Sequence, residues 1–218
     1  MVALLTAVQF ALSFVAGVEL VTVLLLCFCY VFGVYCGLLT ATAFSLVRCL
    51  LFGLVPNVVI LYLVYYSLFA VLFGWLGHSR LPVWVCPLLL CLLAGASAYF
   101  AATGIPISIL YKTRVSVMLW CLFGIATALL VLYVVLLLTH KGAKAELASV
   151  TALAAFCTVL FTLLDDVITP LLLQYSFDAA IAYFYTGFLA MLPQTLCAAV
   201  SVFLLFYPLK NLFLSFRR

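Results

Sequence analysis

The side chains of this chain that are most able to do chemistry are a few charged and polar residues within or beside long apolar runs. Of the 218 residues, 71% are hydrophobic and 6% are charged. A charge inside a membrane helix costs about 3 kcal/mol on insertion scales, so a charge that is kept there usually has a function. The candidate substrate-binding groups are therefore the ionisable and amide side chains at these places: Glu19, Arg48, Asn57, Asp165 and Asp166.

These five residues are predicted to gather at one end of the molecule. If the chain crosses a membrane eight times from a cytoplasmic N-terminus, Glu19 lies in the first outer loop and Asn57 follows the third segment. Arg48 then lies in the outer half of that segment, and the two aspartates lie late in the seventh. Such convergence is what a pocket open to the outside requires. The alternative is that Arg48 extends to the interface or pairs with one aspartate.

Aromatic and amide side chains extend the candidate substrate site. Tyr62 and Tyr66 are four residues apart, which places them on one face of a helix. Their rings are able to stack on a flat heterocycle, although packing inside the bundle or an interfacial belt is the alternative. Tyr183, at the start of the last apolar block, is another aromatic candidate. Gln194, directly after Pro193, is a further candidate polar contact.

Catalytic and metal chemistry have little support in the sequence. No GxxxxGK[ST] phosphate loop is present, so the chain is predicted not to hydrolyse ATP by that route. Asp165 and Asp166 are adjacent and point about 100° apart on a helix, which favours two separate contacts over one shared-proton dyad. The histidines, His78 and His140, lie alone in short polar linkers. We therefore predict a protein that is not an enzyme and has no metal site or cofactor.

Long apolar segments must position these residues. Polar residues divide the chain into about eight apolar blocks: 2–17, 20–35, 36–54, 57–77, 82–102, 115–139, 147–173 and 180–208. Lipid-facing strands would alternate polar and apolar residues, and none of the blocks does. The sequence therefore predicts an all-α, polytopic membrane bundle of six to eight transmembrane helices in a single domain, 1–218. The first two blocks are too short to span a bilayer unless they tilt little or lie partly within protein.

The distribution of basic residues predicts the orientation. With a cytoplasmic N-terminus, two cations, Lys112 and Arg114, lie outside, whereas the inside holds six: Arg80, Lys141, Lys144, Lys210, Arg217 and Arg218. This excess follows the positive-inside rule. The alternative is that block 82–102 is re-entrant, which would reverse the sidedness of everything after it. The net charge of +4 lies largely in loops and at the C-terminus, so it indicates the membrane orientation and not binding to nucleic acid.

One face of the first block carries small residues. Ala3, Ala7 and Ala11 recur every four residues, a spacing that lets another helix approach closely. The stripe is a candidate docking face for a partner in the membrane. Packing within the chain is the alternative.

Several segments resemble the substrate-binding S-components of energy-coupling-factor (ECF) transporters. At the start these are ALLTAVQFA at 3–11, GVELVT at 17–22 and YVFG at 30–33. FSLVR at 44–48, FG at 52–53 and PNVVILY at 56–62 follow. The end of the chain is similar to the last helix and basic tail of the family, through GFLAMLPQ at 187–194 and LFYPLK at 205–210. The resemblance covers roughly the first 77 and the last 70 residues, and the family typically has six helices.

The resemblance implies a bacterial cell-membrane protein that captures a vitamin or similar micronutrient at the outer face. Such a protein docks on a membrane coupling subunit, which two cytoplasmic ATPases drive, and releases its solute inward. The family's alanine-rich first helix supplies the docking face, which maps onto Ala3, Ala7 and Ala11 here. The alternatives are a membrane scaffold of the rod-shape type, whose architecture resembles that of S-components, and an intramembrane enzyme that depends on Asp165 or Asp166.

Overall fold

A computed structural model describes residues 1–15, 20–78, 85–103, 109–139 and 143–217. Over these ranges the chain forms α-helices and contains no β-strand. The helices, in chain order, are α1 (Val2–Leu12), α2 (Val21–Phe52), α3 (Pro56–Leu76), α4 (Val85–Thr103), α5 (Ile109–Thr139), α6 (Ala143–Leu172) and α7 (Phe177–Arg217). The predicted all-α fold is confirmed.

Six of these helices, α2 to α7, are long and apolar enough to cross a membrane. A helix satisfies its own backbone hydrogen bonds in hydrocarbon, so apolar segments of this length are stable there. Large apolar side chains such as Leu50, Leu138 and Leu196 also lie exposed on the outside of the bundle, where they suit contact with lipid. The chain is therefore a multi-pass membrane protein. α1 is not one of these six helices, because its 11 residues rise only about 16 Å and are too short to cross a membrane.

Two of the predicted apolar blocks belong to one helix, α2, which folds back at Gly33. This glycine has φ 86° and ψ −178°, a backbone conformation that strains residues with a Cβ. A Cβ built on Gly37 would lie 3.5 Å from the Cα of Cys29, whereas eight residues of continuous helix rise about 12 Å. The halves on either side of Gly33 therefore run antiparallel. The first half, 21–32, packs within protein, as expected for the short block 20–35. The second half, 34–52, exposes Leu39, Leu46 and Leu50 and is by itself long enough to cross a membrane.

The C-terminal part of α3 packs closely on this reversal. A Cβ built on Gly74 would lie 2.6 Å from the backbone nitrogen of Val34, and one on Gly77 would overlap the carbonyl of Tyr30. The ring of His78 lies against Gly33, 3.0 Å from where a Cβ would be. Small residues on α3 thus allow the two backbones to meet.

The helices alternate in direction, which gives the bundle two ends. The upper end, as we name it, holds residues 53–55 and 173–176, and Asn57 contacts Thr169 there. The lower end holds the reversal at Gly33 and the contact between Glu146 and Lys210. α4, at 19 residues, rises about 28 Å and so has spanning length, which keeps the predicted alternation intact through α7.

Candidate functional site at the upper end

Asp165 is the centre of a hydrogen-bond network that joins α3, α6 and α7. The side-chain amide of Asn57 donates to the Oγ1 of Thr169 at 2.9 Å. Thr169 in turn donates to Oδ1 of Asp165 at 2.7 Å. The hydroxyl of Tyr183 donates to the other carboxylate oxygen at 2.9 Å. Both oxygens of Asp165 are therefore satisfied by side chains of the protein.

The local sequence explains why these groups meet. Thr169 follows Asp165 by four residues, so the two share a face of α6. A short turn between α6 and α7, with Gln174 at φ 50°, brings the first turns of α7 back beside the last turns of α6. Because α3 begins at the upper end, Asn57 in its first turn lies opposite Thr169.

Asp166 has different surroundings from its neighbour. Its side chain is 9% exposed, and within the described part of the chain neither carboxylate oxygen has a hydrogen-bond partner. The carboxylate lies against Gly187 of α7, where an added Cβ would overlap Oδ1 and lie 3.2 Å from Oδ2. Buried polar atoms are nearly always paired, so an unpaired buried carboxylate calls for a ligand, an ion or a proton.

One of the two polar side-chain atoms of Asn57 is also buried without a hydrogen-bond partner among the described residues. The residue is 6% exposed, and its amide nitrogen is used by Thr169. Its carbonyl oxygen, Oδ1, is buried without a partner among the described residues. The upper end therefore presents hydrogen-bond acceptors from two helices that the protein itself does not use.

Arg48 is held by aromatic rings, not by a carboxylate. Its guanidinium carbon lies 3.8 Å from the ring centroid of Tyr62 and 5.4 Å from that of Phe52, a cation–π arrangement. No ion pair joins Arg48 to an acidic residue in the ranges that the structure describes, and its Nε is buried without a partner.

An aromatic layer connects Arg48 with the aspartates. The rings of Tyr62 and Phe161 meet edge to face at 5.5 Å, and Phe161 precedes Asp165 by one turn of α6. Tyr66 lies one turn deeper on α3, packs edge to face on Phe44 at 5.4 Å, and is 2% exposed. Tyr62 therefore borders the upper polar groups, whereas Tyr66 belongs to the core.

The other predicted substrate-binding residues lie apart from this network or outside the described ranges. Glu19 falls in the segment 16–19, outside the described residues. Gln194 lies on α7 seven residues beyond Gly187, about 10 Å further along the helix axis. The structure thus joins Asn57 to Asp165 through Thr169, places the adjacent Asp166 against Gly187 of α7, and places Gln194 deeper in the bundle. Arg48 lies over the ring of Tyr62, which the aromatic layer connects with α6.

The alanine stripe of α1 faces away from the rest of the bundle. α1 packs on α2 through Leu5 and Thr6, which are buried. Ala3, Ala7 and Ala11 are exposed. Within the described residues, therefore, the small-residue face of α1 is not used for internal packing.

A second polar cluster, at the lower end, pairs charged and polar side chains with one another. Glu146, in the first turn of α6, accepts hydrogen bonds from Tyr30 and from Lys210, whose Nζ is 2.5 Å from Oε1. The Lys210 ammonium also lies 4.9 Å from the ring centroid of Tyr30 and 5.4 Å from that of Phe206. This cluster ties α2, α6 and α7 together and leaves no unused polar atom of Glu146 of the kind found at Asp166.

Two residues of the upper site, Thr169 and Gly187, were not among the candidates from the sequence, whereas Tyr183 was one of the aromatic candidates at the start of the last segment. Thr169 carries a detectable signal, since it follows Asp165 by one helical turn and is able to donate to it. Tyr183 and Gly187 act through the packing of α7 on α6, which no local pattern encodes. Among the residues that the structure describes, no three His, Cys, Asp or Glu side chains come together as a metal ion would need.

Comparison of the chain with protein-family models, with curated proteins and with solved structures finds no match.

Proposed function

We propose that this protein is the substrate-binding S-component of an ECF-type importer in a bacterial cell membrane. It captures a small vitamin-like solute at the upper end, which faces outward in the orientation predicted from the basic residues. The protein binds the solute without transforming it. A membrane coupling subunit and two cytoplasmic ATPase subunits supply the energy for import.

The observation that carries this proposal is the set of unused polar atoms at the upper end. Among the described residues, Asp166 and Asn57 present buried acceptors without partners, and Arg48 presents an unpaired Nε. These residues come from three helices, α2, α3 and α6. Buried polar groups that fulfil a purely structural role are normally paired, as they are around Glu146. Unpaired groups from separate helices at one end of a bundle are typical of a binding site.

The exposed stripe on α1 supports the partner half of the proposal. Three alanines in register leave a shallow face against which a helix of another protein is able to pack closely. α1 is also the helix that is too short to span a membrane, so it covers the bundle only in part. We assign this face to the coupling subunit.

The proposal is tested by asking what the purified protein carries. We expect the wild-type chain, extracted in mild detergent without added solute, to release one small molecule on heating, in a ratio near one per chain. The triple variant Arg48→Gln, Asp165→Asn, Asp166→Asn should carry at least tenfold less. Asp178→Asn, which neutralises an exposed carboxylate in the first turn of α7, is the matched control. A wild-type chain that carries nothing, or a triple variant that carries as much as wild type, contradicts the proposal.

A further inference from the structure

We infer that the solute carries a protonated nitrogen and that the carboxylate of Asp166 binds its N–H groups. This inference rests on the proposed function and narrows the class of substrate to organic ammonium or amidinium compounds. Three features of the upper end lead to it: the different hydrogen bonding of the two aspartates, the balance of hydrogen-bond donors and acceptors, and the glycine opposite Asp166.

The two aspartates differ in whether side chains of the protein donate hydrogen bonds to their carboxylate oxygens. Asp165 accepts from Thr169 at 2.7 Å and from Tyr183 at 2.9 Å, one donor for each oxygen. Asp166 receives no hydrogen bond from any described residue, although it is 9% exposed. A carboxylate that is buried and unpaired is far less stable than one that is hydrogen-bonded, and the described residues supply no donor to Asp166. Asp165 is therefore a positioning residue, and Asp166 is the group that faces the solute.

The balance of donors and acceptors sets the chemistry of that solute. The network consumes the amide of Asn57, the hydroxyl of Thr169 and the hydroxyl of Tyr183 as donors. The atoms left without a partner in the described ranges are acceptors, namely both oxygens of Asp166 and the carbonyl oxygen of Asn57. A complementary ligand must supply N–H or O–H groups, and a cation does so without leaving the buried negative charge uncompensated.

Arg48 sets a further limit on the solute. Its Nε is buried without a partner among the described residues, and its guanidinium carbon lies 3.8 Å from the ring centroid of Tyr62. An anionic group elsewhere on the solute is therefore compatible with the inference, and a zwitterion satisfies both charges.

Gly187 keeps the space that the carboxylate occupies. Any Cβ at this position would overlap Oδ1 of Asp166 and lie 3.1 Å from its Cγ. A side chain at 187 would therefore push the carboxylate out of its place without changing its charge. This gives an independent way to disturb the same group.

An inorganic cation fits these residues less well. Calcium takes six to eight oxygen ligands and magnesium demands six in octahedral geometry, usually with more than one carboxylate. In the described ranges no three acidic or other metal-binding side chains cluster, and the oxygens of Asp165 are engaged by donors that a metal ion would have to displace. Directed N–H donors need only the two or three acceptors present.

The test compares what wild-type and variant chains carry after purification. Asp166→Asn removes the charge and Gly187→Ala displaces it, and Asp178→Asn and Gly124→Ala are the matched controls, since nothing lies within 4 Å of a Cβ at Gly124. Each chain is checked for a single peak in size-exclusion chromatography, then heated, and the released molecules are identified by mass spectrometry. Wild-type protein that still carries its solute is also washed with methylammonium chloride and, separately, with sodium chloride at equal concentration.

We expect the released molecule to contain a basic nitrogen, to fall at least tenfold in both site variants and to stay at the wild-type level in both controls. Methylammonium should displace it several times more effectively than sodium. If the Asp166→Asn chain fails to fold, the amount of solute that the Gly187→Ala chain carries tests the inference. A molecule without a basic nitrogen, or one that both site variants retain, overturns this inference while solute binding stands. Equal displacement by sodium assigns the carboxylate to an inorganic cation and also overturns it. A wild-type chain that carries nothing defeats the proposed function itself.

Discussion

Lys210, near the end of α7, lies 2.5 Å from Glu146, in the first turn of α6, and this pair closes the lower end of the bundle. Both side chains are largely buried, with 22% and 30% of their surfaces exposed. Tyr30 of α2 donates to the same carboxylate. The lower end is therefore held by paired charges, whereas the carboxylate of Asp166 at the upper end has no partner among the described residues. The contrast predicts that the two ends respond differently to substitution.

Removing the lower pair should reduce stability and leave solute binding unchanged. Glu146→Gln or Lys210→Met loses a charge-assisted hydrogen bond, which is worth about 2 kcal/mol. For a chain of this size that corresponds to a fall in melting temperature of about 4–8 °C. Thermal unfolding in detergent, followed by tryptophan fluorescence, measures it. The double variant should lose less than the sum of the single losses, because the two residues interact. A strictly additive loss would show that the pair does not couple.

Gly33 should tolerate no side chain. Gly33→Ala places a Cβ at φ 86° and 3.0 Å from the ring of His78, and such strain costs of order 1–3 kcal/mol. Gly95→Ala is the matched control, since open space surrounds a Cβ there and alanine favours the helix. We expect lower yield and a lower melting temperature for Gly33→Ala alone. Equal melting temperatures for the two variants would contradict the reversal in α2.

The docking face on α1 should be needed for uptake but not for binding. Ala7→Leu adds a bulky side chain to the exposed stripe and should prevent a partner helix from approaching. Transport by cells should fall at least tenfold, and copurification of the ATPase subunits should be lost, while the purified chain still carries its solute. Ala96→Leu, at an exposed position on α4, is the control. Copurification of cell-wall synthesis proteins in place of ATPases would favour the scaffold.

The positioning role of Asp165 is tested through the tyrosine that donates to it. Tyr183→Phe removes one of two hydrogen bonds to the carboxylate and should weaken solute binding about tenfold, the equivalent of roughly 1.4 kcal/mol. Tyr175→Phe is the control, because Tyr175 is 40% exposed and contacts Tyr183 through its ring. Titration of the stripped protein with the released solute measures both affinities. Equal weakening in the two variants would assign the effect to ring packing.

Much of the fold follows from the sequence because transmembrane helices are recognisable as long runs of apolar residues. The apolar blocks correspond to the helices, and α3 and α4 begin and end within three residues of the predicted limits. α5 begins six residues earlier and α7 ends nine residues later than predicted. The reversal at Gly33 lies close to the predicted boundary between blocks 20–35 and 36–54. What the pattern did not contain was the exact residue at which the chain turns. An isolated glycine in an apolar run is compatible with a continuous helix, and only the close approach of Cys29 and Gly37 distinguishes the two.

The site was predicted in part for a related reason. Charges in apolar runs are conspicuous, so Arg48, Asp165 and Asp166 were found at once. The sequence could not tell which aspartate is satisfied, because that depends on the rotation of α7 that brings Tyr183 to one and Gly187 to the other. Likewise, Glu146 and Lys210 are 64 residues apart, and only the antiparallel packing of α6 and α7 pairs them.

The central claim, that the upper end holds a solute, is tested most directly by an experimental structure of the wild-type chain purified without added ligand. We predict density for a small molecule with a nitrogen about 2.7–3.2 Å from a carboxylate oxygen of Asp166. The contrary result is a structure in which Asp166 pairs with a side chain of the protein itself and no additional density lies beside it.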